Sequence, residues 1–176
     1  MSISRSLLVL LLTAFFFPFA SVSAEEMRPP FGLDWGESQQ RMQSLLTGAK
    51  AKIVERRVLE GRDMWIVEGL VQANLKRTVF YFHNGGLVEV ELRYQNPDWI
   101  DTEYNSFLSQ LRSKIESRFG QGKLIARSKT PVGDVTQTLV GYRWNKGSTQ
   151  MEIIYFAAEN PSQVYRTVSL HYKAAY

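Results

Sequence analysis

Two glutamates, Glu89 and Glu91, alternate along a predicted strand and are the side chains best placed for acid–base chemistry. Residues two apart on a strand point to the same face about 7 Å apart. That spacing suits an inverting pair of carboxylates or a cation site. Arg93 continues the row, however, and neither acid has an apolar setting that would raise its pKa. The pattern therefore favours a solvated strand face.

The chain has two histidines and no cysteine, which limits the other chemistry it can carry. His83 and His171 lie near predicted strand ends without a sequence neighbour to orient them, so we expect surface or edge residues rather than bases. Gly120–Lys123 lacks the spacing of a phosphate-binding loop and is typical of a helix end. Neither Gly-x-Ser-x-Gly nor His-Glu-x-x-His occurs. We therefore expect a protein that is not an enzyme and has no cofactor or metal site.

The first residues are typical of a secretory signal peptide. Arg5 precedes an apolar run, Leu7–Phe19, and small residues follow at Val22-Ser23-Ala24. Removal of Met1–Ala24 would leave an exported protein, Glu25–Tyr176, in the periplasm or outside the cell. Without cysteine there are no disulfides, thiolate nucleophiles or lipid-bearing cysteine, and no later apolar run approaches the ~20 residues of a membrane span. We therefore expect no stable membrane anchor.

Composition argues against a nucleic-acid partner. The chain is 44% hydrophobic and 22% charged, with a formal net charge of +4. Its basic residues occur in short pairs, such as Arg56-Arg57 and Lys76-Arg77, and never form a long basic stripe.

The spacing of hydrophobic residues changes from a helical period to a strand period, and this order occurs twice along the chain. A short helix follows Ser38 as N-cap, with Met42, Leu45 and Leu46 on one face, and a second helix spans 101–119, capped by Asp101 or Thr102. Period-two segments bounded by turn residues predict four strands after each helix. These strands lie near 50–59, 64–71, 77–83 and 87–94, and near 123–129, 135–144, 149–156 and 164–172.

The third and fourth strands form the best-defined predicted hairpin, with two alternative registers. A two-residue Asn-Gly turn would set His83 opposite Gly86 and place Val79 and Tyr81 on the face of Val88, Val90 and Leu92. A three-residue loop with a left-handed glycine would place Phe80 and Phe82 there instead. We favour the second register because it collects five strongly apolar side chains on one face.

The last strands of the two halves support an internal repeat. Val88–Tyr94 and Arg166–Tyr172 share Val, Leu and Tyr at equal spacing. We therefore divide the mature chain into two units, 25–98 and 99–176, within one compact domain. The predicted fold is α+β: two helix-plus-four-strand repeats form a curved antiparallel sheet with the helices on one face.

The segment Gly32–Ser38, with its Trp-Gly-x-Ser, and the later Tyr81–Val90 resemble a pattern found in small exported proteins. These include the SmpA/OmlA-like outer-membrane assembly lipoproteins, and the element order is similar to that of the β-lactamase inhibitory protein. This chain lacks the lipid-bearing cysteine of the first family and the cysteines usual in the second. The resemblance implies a binding or scaffolding role in the envelope and transfers no catalytic residue.

Aromatic side chains are the main indication of a binding surface. Strands 135–144 and 149–156 are apolar on both faces, and one helix per half covers only one face of a sheet. The other face would then expose Tyr and Trp, which are enriched at interfaces. The candidates are Trp65, Tyr81, Tyr142, Trp144, Tyr155 and Tyr165. A core in which the two halves pack against each other remains open as an alternative.

The sequence therefore predicts an exported, non-catalytic protein that binds another protein or an envelope component through an aromatic sheet face. The alternative is a periplasmic protein that binds a small ligand in a pocket between the sheet and helix 101–119, lined by Tyr104, Phe107 and aromatic strand residues.

Overall fold

The computed structural model describes residues 27–174, so the predicted signal peptide, Met1–Ala24, lies outside the described residues. A short 3-10 turn at Pro30–Gly32 precedes helix α1. The first half contains α1 (Gln39–Gly48), β1 (Lys52–Leu59), β2 (Arg62–Glu68), β3 (Leu75–His83) and β4 (Gly86–Tyr94). The second half contains α2 (Asp101–Phe119), β5 (Lys123–Val132), β6 (Val135–Lys146), β7 (Thr149–Glu159) and β8 (Val164–Ala174).

The eight strands form one antiparallel sheet in the order β1-β2-β3-β4-β8-β7-β6-β5. The last strands of the two halves, β4 and β8, lie side by side at its centre, where Leu92 pairs with Leu170 and Glu91 with His171. The predicted α+β class with a curved antiparallel sheet is confirmed. In residues 27–174, no helix is both long and apolar enough to cross a membrane.

Helix α1 begins as predicted. The Ser38 hydroxyl accepts a hydrogen bond from the backbone N–H of Arg41, which satisfies one of the free donors of the first turn. Met42 and Leu46 are buried on the face that packs against the sheet.

Helix α2 has the predicted span, Asp101–Phe119, but a different N-cap. Its N-cap is Ile100, so the assignment of Asp101 or Thr102 as the cap is wrong. The Glu103 carboxylate accepts a hydrogen bond from the backbone N–H of Ile100 at 2.7 Å. Glu103 thus supplies the glutamate half of a capping box, which satisfies the N-cap donor, while Ile100 has no side-chain hydroxyl for the other half.

The hairpin between β3 and β4 combines features of both predicted registers. His83 pairs with Gly86 across a two-residue turn, in which Asn84 and Gly85 both have positive φ. A bulge then shifts the register between Tyr81 and Phe82, so that Phe80 and Phe82 still lie on the helix-covered face. Val88 is the exception, because it packs with Tyr81 on the other face.

The two parts of the sequence motif contact each other. The backbone N–H of Gly36 donates to the carbonyl of Leu87, and the N–H of Leu87 donates to the carbonyl of Glu37, both at 2.9 Å. The Trp-Gly-x-Ser segment is therefore held against the start of β4 before α1 begins.

One main core lies between the helices and the sheet. Side chains of both helices belong to it: Met42, Leu46, Tyr104, Leu108 and Ile115. The sheet contributes Trp65, Val67, Phe80, Phe82, Leu87, Val90, Leu92, Tyr94, Tyr142, Trp144, Met151, Ile153, Tyr155, Ala157, Val168 and Leu170.

Gly122, just before β5, offers a test of this packing. A Cβ at Gly122 would lie 2.4 Å from Cζ2 of Trp144, whose indole N–H is held by the carbonyl of Gly120 at 2.8 Å. We expect Gly122→Ala to lower the free energy of unfolding by about 1–3 kcal/mol, as overpacking does. Urea denaturation measures the change. Gly48→Ala is the control, because no atom from outside its own turns of α1 lies within 4 Å of its Cβ position. An equal loss in both variants would contradict the prediction.

Candidate functional site

A cavity of about 900 Å³ lies between α2 and the helix-covered face of the sheet. Small-molecule sites usually measure ~300–1,000 Å³, so its size suits a small organic ligand. Its apolar and aromatic walls come from α2 and from three strands at the centre of the sheet. They are Leu111, Ile115 and Phe119 on α2, Tyr94 on β4, Met151 on β7, and Leu170 and Tyr172 on β8.

The spacing of side chains along α2 explains why the cavity lies beside the C-terminal half of this helix. Leu111, Ile115 and Phe119 are spaced by four residues, which aligns them on one helix face. Around the N-terminal half of the helix, aromatic rings fill the space instead. Phe107 lies 5.0 Å from Tyr94 and 5.1 Å from Trp99, between ring centroids.

The predicted pocket is therefore displaced along the helix. Tyr104 and Phe107, predicted to line it, pack in the core with Trp99, and the cavity lies beside the C-terminal half of α2. The N-terminal segment Met27–Pro30 forms a further wall.

Two tyrosines give the cavity wall polar groups. The Tyr94 hydroxyl accepts a hydrogen bond from Nε2 of Gln72 at 2.8 Å. Burial raises the pKa of Tyr94. Burial also raises the pKa of Tyr172, although the charge of Arg118 opposes the shift. Both phenols therefore stay neutral at physiological pH and can donate a hydrogen bond.

Every charged residue that the structure places on this cavity wall is basic. They are Arg28 from the N-terminal segment, Lys114 and Arg118 from α2, and Lys146 from the end of β6. The described lining residues include no aspartate or glutamate. The cavity thus combines an apolar interior with a positively charged border.

The opposite face of the sheet carries a network of buried charges. Glu89 and Glu91 are only 7% and 6% exposed, so the prediction of a solvated strand face is wrong. The Arg62 guanidinium donates to Glu89 at 2.8 Å, and Arg93 donates to both oxygens of Glu91 at 2.6 and 2.9 Å. The Tyr81 hydroxyl also donates to Glu91. Both carboxylates are therefore buried with cationic hydrogen-bond partners.

The network extends across β7 and β8. Glu152 is 4% exposed and accepts hydrogen bonds from Lys173 at 2.8 Å and from Arg143 at 2.6 Å. Burial raises the pKa of the Glu152 carboxyl, but Lys173 and Arg143 lower it by more, so its pKa lies below the ordinary value. The pKa of Glu89 is also lowered, because His171, Lys173 and Arg62 outweigh its burial.

His171 connects two members of this network. Its Nδ1 lies 3.1 Å from the Glu89 carboxylate, and its Nε2 lies 3.0 Å from the Ser169 hydroxyl. The order hydroxyl, imidazole, carboxylate is that of a nucleophilic triad. Acyl transfer also requires N–H donors aimed at the developing oxyanion. Ser169 is paired on both sides, with Arg93 and with Ile154, so the strand ladders occupy the backbone donors around it.

The six aromatic candidates do not share one exposed face. Trp65, Tyr142, Trp144 and Tyr155 are buried in the main core beneath the helices. Tyr81 is buried on the opposite face in a second cluster with Met64, Ile66, Val79 and Val88. Tyr165 is 47% exposed and lies against Phe156.

Sequence reasoning missed Arg62, Glu152, Ser169 and Lys173, all of which belong to the charged network. Ser169, His171 and Lys173 alternate along β8 and so share a face, which is a signal the sequence contains. The partners on β2, β4 and β7 depend on the strand order, which the local pattern does not carry. Within residues 27–174, no group of three or more His, Asp or Glu side chains is arranged to hold a metal ion.

The charged network predicts acid sensitivity. Groups whose pKa is lowered by folding stabilise the fold above their unfolded value, here 4.5, and that contribution is lost as the pH falls through the folded value. We expect the free energy of unfolding to decline below pH 4.5. Glu152→Gln should show a shallower decline and lose about 1–3 kcal/mol at neutral pH. Urea denaturation across pH measures both effects.

Asp134→Asn is the control for this experiment, because Asp134 is exposed in the turn between β5 and β6. It should follow the pH dependence of the unaltered protein. The same slope in Glu152→Gln would show that Glu152 does not contribute to acid sensitivity.

Comparison of the chain with protein-family models, with curated proteins and with solved structures finds no match. The geometry of the described residues is therefore the basis for assigning a function.

Proposed function

We propose that this is an exported, non-catalytic protein that binds a small, largely apolar ligand between α2 and the sheet. The observation that carries the proposal is the cavity of about 900 Å³ with apolar walls from the helix and from three strands. Export is supported by the signal-like segment Met1–Ala24. The resemblance to small envelope proteins also favours binding over catalysis.

The cavity is a better candidate than the aromatic sheet face. Of the six aromatic residues, four contribute to the main core and are already covered by the helices. The face without helices presents Glu89, Glu91 and Glu152 with their cationic partners at its centre. A partner docking there would meet charges that are already paired, which adds little attraction.

The apolar walls define what binding should depend on. Burial of one methylene contributes about 0.8 kcal/mol, so two further methylenes should raise affinity about tenfold while the chain still fits. A series of linear alcohols therefore measures the depth of the cavity directly.

We expect 1-decanol to bind about tenfold more tightly than 1-octanol, as measured by isothermal titration calorimetry. Leu111→Trp places a larger side chain in the cavity and should weaken 1-decanol binding at least about tenfold, because it displaces ligand volume. Gln110→Trp adds the same ring on the exposed face of the helix and is the matched control. Thermal melting verifies that both variants fold. Equal binding by the two variants, or no binding of either alcohol, would reject the cavity as the site.

A non-catalytic role makes a separate prediction at Ser169. Because the strand ladders occupy the backbone N–H groups around Ser169, no oxyanion hole forms there, and the contact between Ser169 and His171 should not support acyl transfer. We expect a fluorophosphonate probe to leave Ser169 unmodified, as judged by intact-protein mass spectrometry. Labelling that disappears in Ser169→Ala would instead indicate a serine hydrolase.

A further inference from the structure

We infer that the ligand of this cavity is an amphipathic anion, with an apolar chain and one negatively charged head, a carboxylate or a phosphate. The inference rests on the proposed function and adds the chemical class of the ligand. It comes from the arrangement of charge around the cavity rather than from its volume.

The basic residues converge on the cavity from three separate parts of the chain. Lys114 and Arg118 lie one turn apart on α2, Lys146 ends β6, and Arg28 belongs to the segment that precedes α1. A favourable interaction with the C-terminal end of the α2 dipole would account for Arg118 alone. It does not account for Lys146 and Arg28, which lie on other elements.

Helix α2 places the basic and apolar groups side by side. Lys114 immediately precedes Ile115, and Arg118 immediately precedes Phe119, so a basic row runs next to the apolar row along the helix. Lys114 is exposed, whereas Ile115 is buried. A ligand whose apolar chain lies along the apolar row would therefore place its head group beside the basic side chains of Lys114 and Arg118, at the boundary with solvent.

The acidic residue of this part of α2 is directed elsewhere. The Glu116 carboxylate accepts hydrogen bonds from Arg112 at 2.9 Å and from the backbone N–H of Gly122. Arg118 acts on a residue of the cavity wall, because its charge opposes the rise in the pKa of Tyr172 that burial causes.

The test compares ligands that share a ten-carbon chain and differ in their heads: decanoate, decyl phosphate, 1-decanol and decyltrimethylammonium. We expect the anions to bind at least about tenfold more tightly than 1-decanol, because charge-assisted hydrogen bonds are about twice as strong as neutral ones. The cation should bind most weakly. Added salt should reduce the advantage of the anions, since the border is exposed to solvent. Isothermal titration calorimetry on the mature protein measures all four ligands.

A double variant tests the placement of the head. Lys114→Gln with Lys146→Gln should bring the ratio of decanoate to 1-decanol affinity close to one. Lys123→Gln with Lys129→Gln removes the same charge from exposed positions of β5 outside the cavity and should keep the original ratio. Thermal melting confirms folding in both cases.

The outcomes separate the two proposals. If decanoate and decyl phosphate both bind more tightly than 1-decanol, the result supports an anionic head. The anion with the higher affinity then identifies the preferred head group. Binding of 1-decanol as tight as that of both anions overturns the charge inference while leaving the cavity function in place. A ratio unaffected by the Lys114 and Lys146 changes overturns the assigned position of the head. Failure of all four ligands to bind rejects the cavity function itself.

Discussion

The pairing of β4 with β8 is the contact on which the rest of the structure depends. It joins two sets of four strands into one sheet, with Leu92 opposite Leu170 on the helix-covered face. Both helices can then pack against a single continuous core. The same pairing brings Tyr94 next to the strand that carries Leu170 and Tyr172, so the floor of the cavity exists only when the two halves are joined.

The opposite face makes this pairing specific. Glu89 of β4 contacts His171 and Lys173 of β8, and Lys173 also reaches Glu152 of β7. A buried carboxylate that loses its partner is strongly destabilising, and a one-residue slip would exchange the two faces of the strand. The register that buries the leucines is thus also the register that pairs the charges. Apolar packing on one face and charge pairing on the other therefore favour the same alignment of β4 with β8.

Local features were predictable because their causes are local. The cap at Ser38, the apolar stripe of α2 and the turn residues between strands all act within a few positions of the chain. The hairpin of β3 and β4 shows the limit of prediction from local sequence. The Asn84-Gly85 turn is one of two alternatives that the sequence allows, and the local pattern does not predict the bulge that places Phe80 and Phe82 in the core.

The candidate site was harder to predict for the same reason. The sequence predicts a pocket beside α2 as the alternative site, but Tyr104 and Phe107 are core residues, since Trp99 and Tyr94 complete their packing. The aromatic strands were identified from their composition, while the face each ring occupies depends on the neighbours of the strand. The sequence does not predict the burial of Glu89, because its partners Arg62, His171 and Lys173 are distant in the chain. Glu91 has its partner Arg93 only two residues away, but the neighbouring strands that bury it depend on the strand order.

The strand order has a kinetic consequence. Apart from β4 with β8, each pairing in the sheet joins strands that follow one another in the chain, so most of the sheet can form by closing short loops. Most of the loop-closure entropy of folding is therefore lost in one step, when β4 and β8 pair and two preformed four-strand meanders join. Until that encounter, each half has an unpaired strand at what will be the centre of the sheet. In an intermediate, these two strands would be the natural sites for exchange with a second molecule.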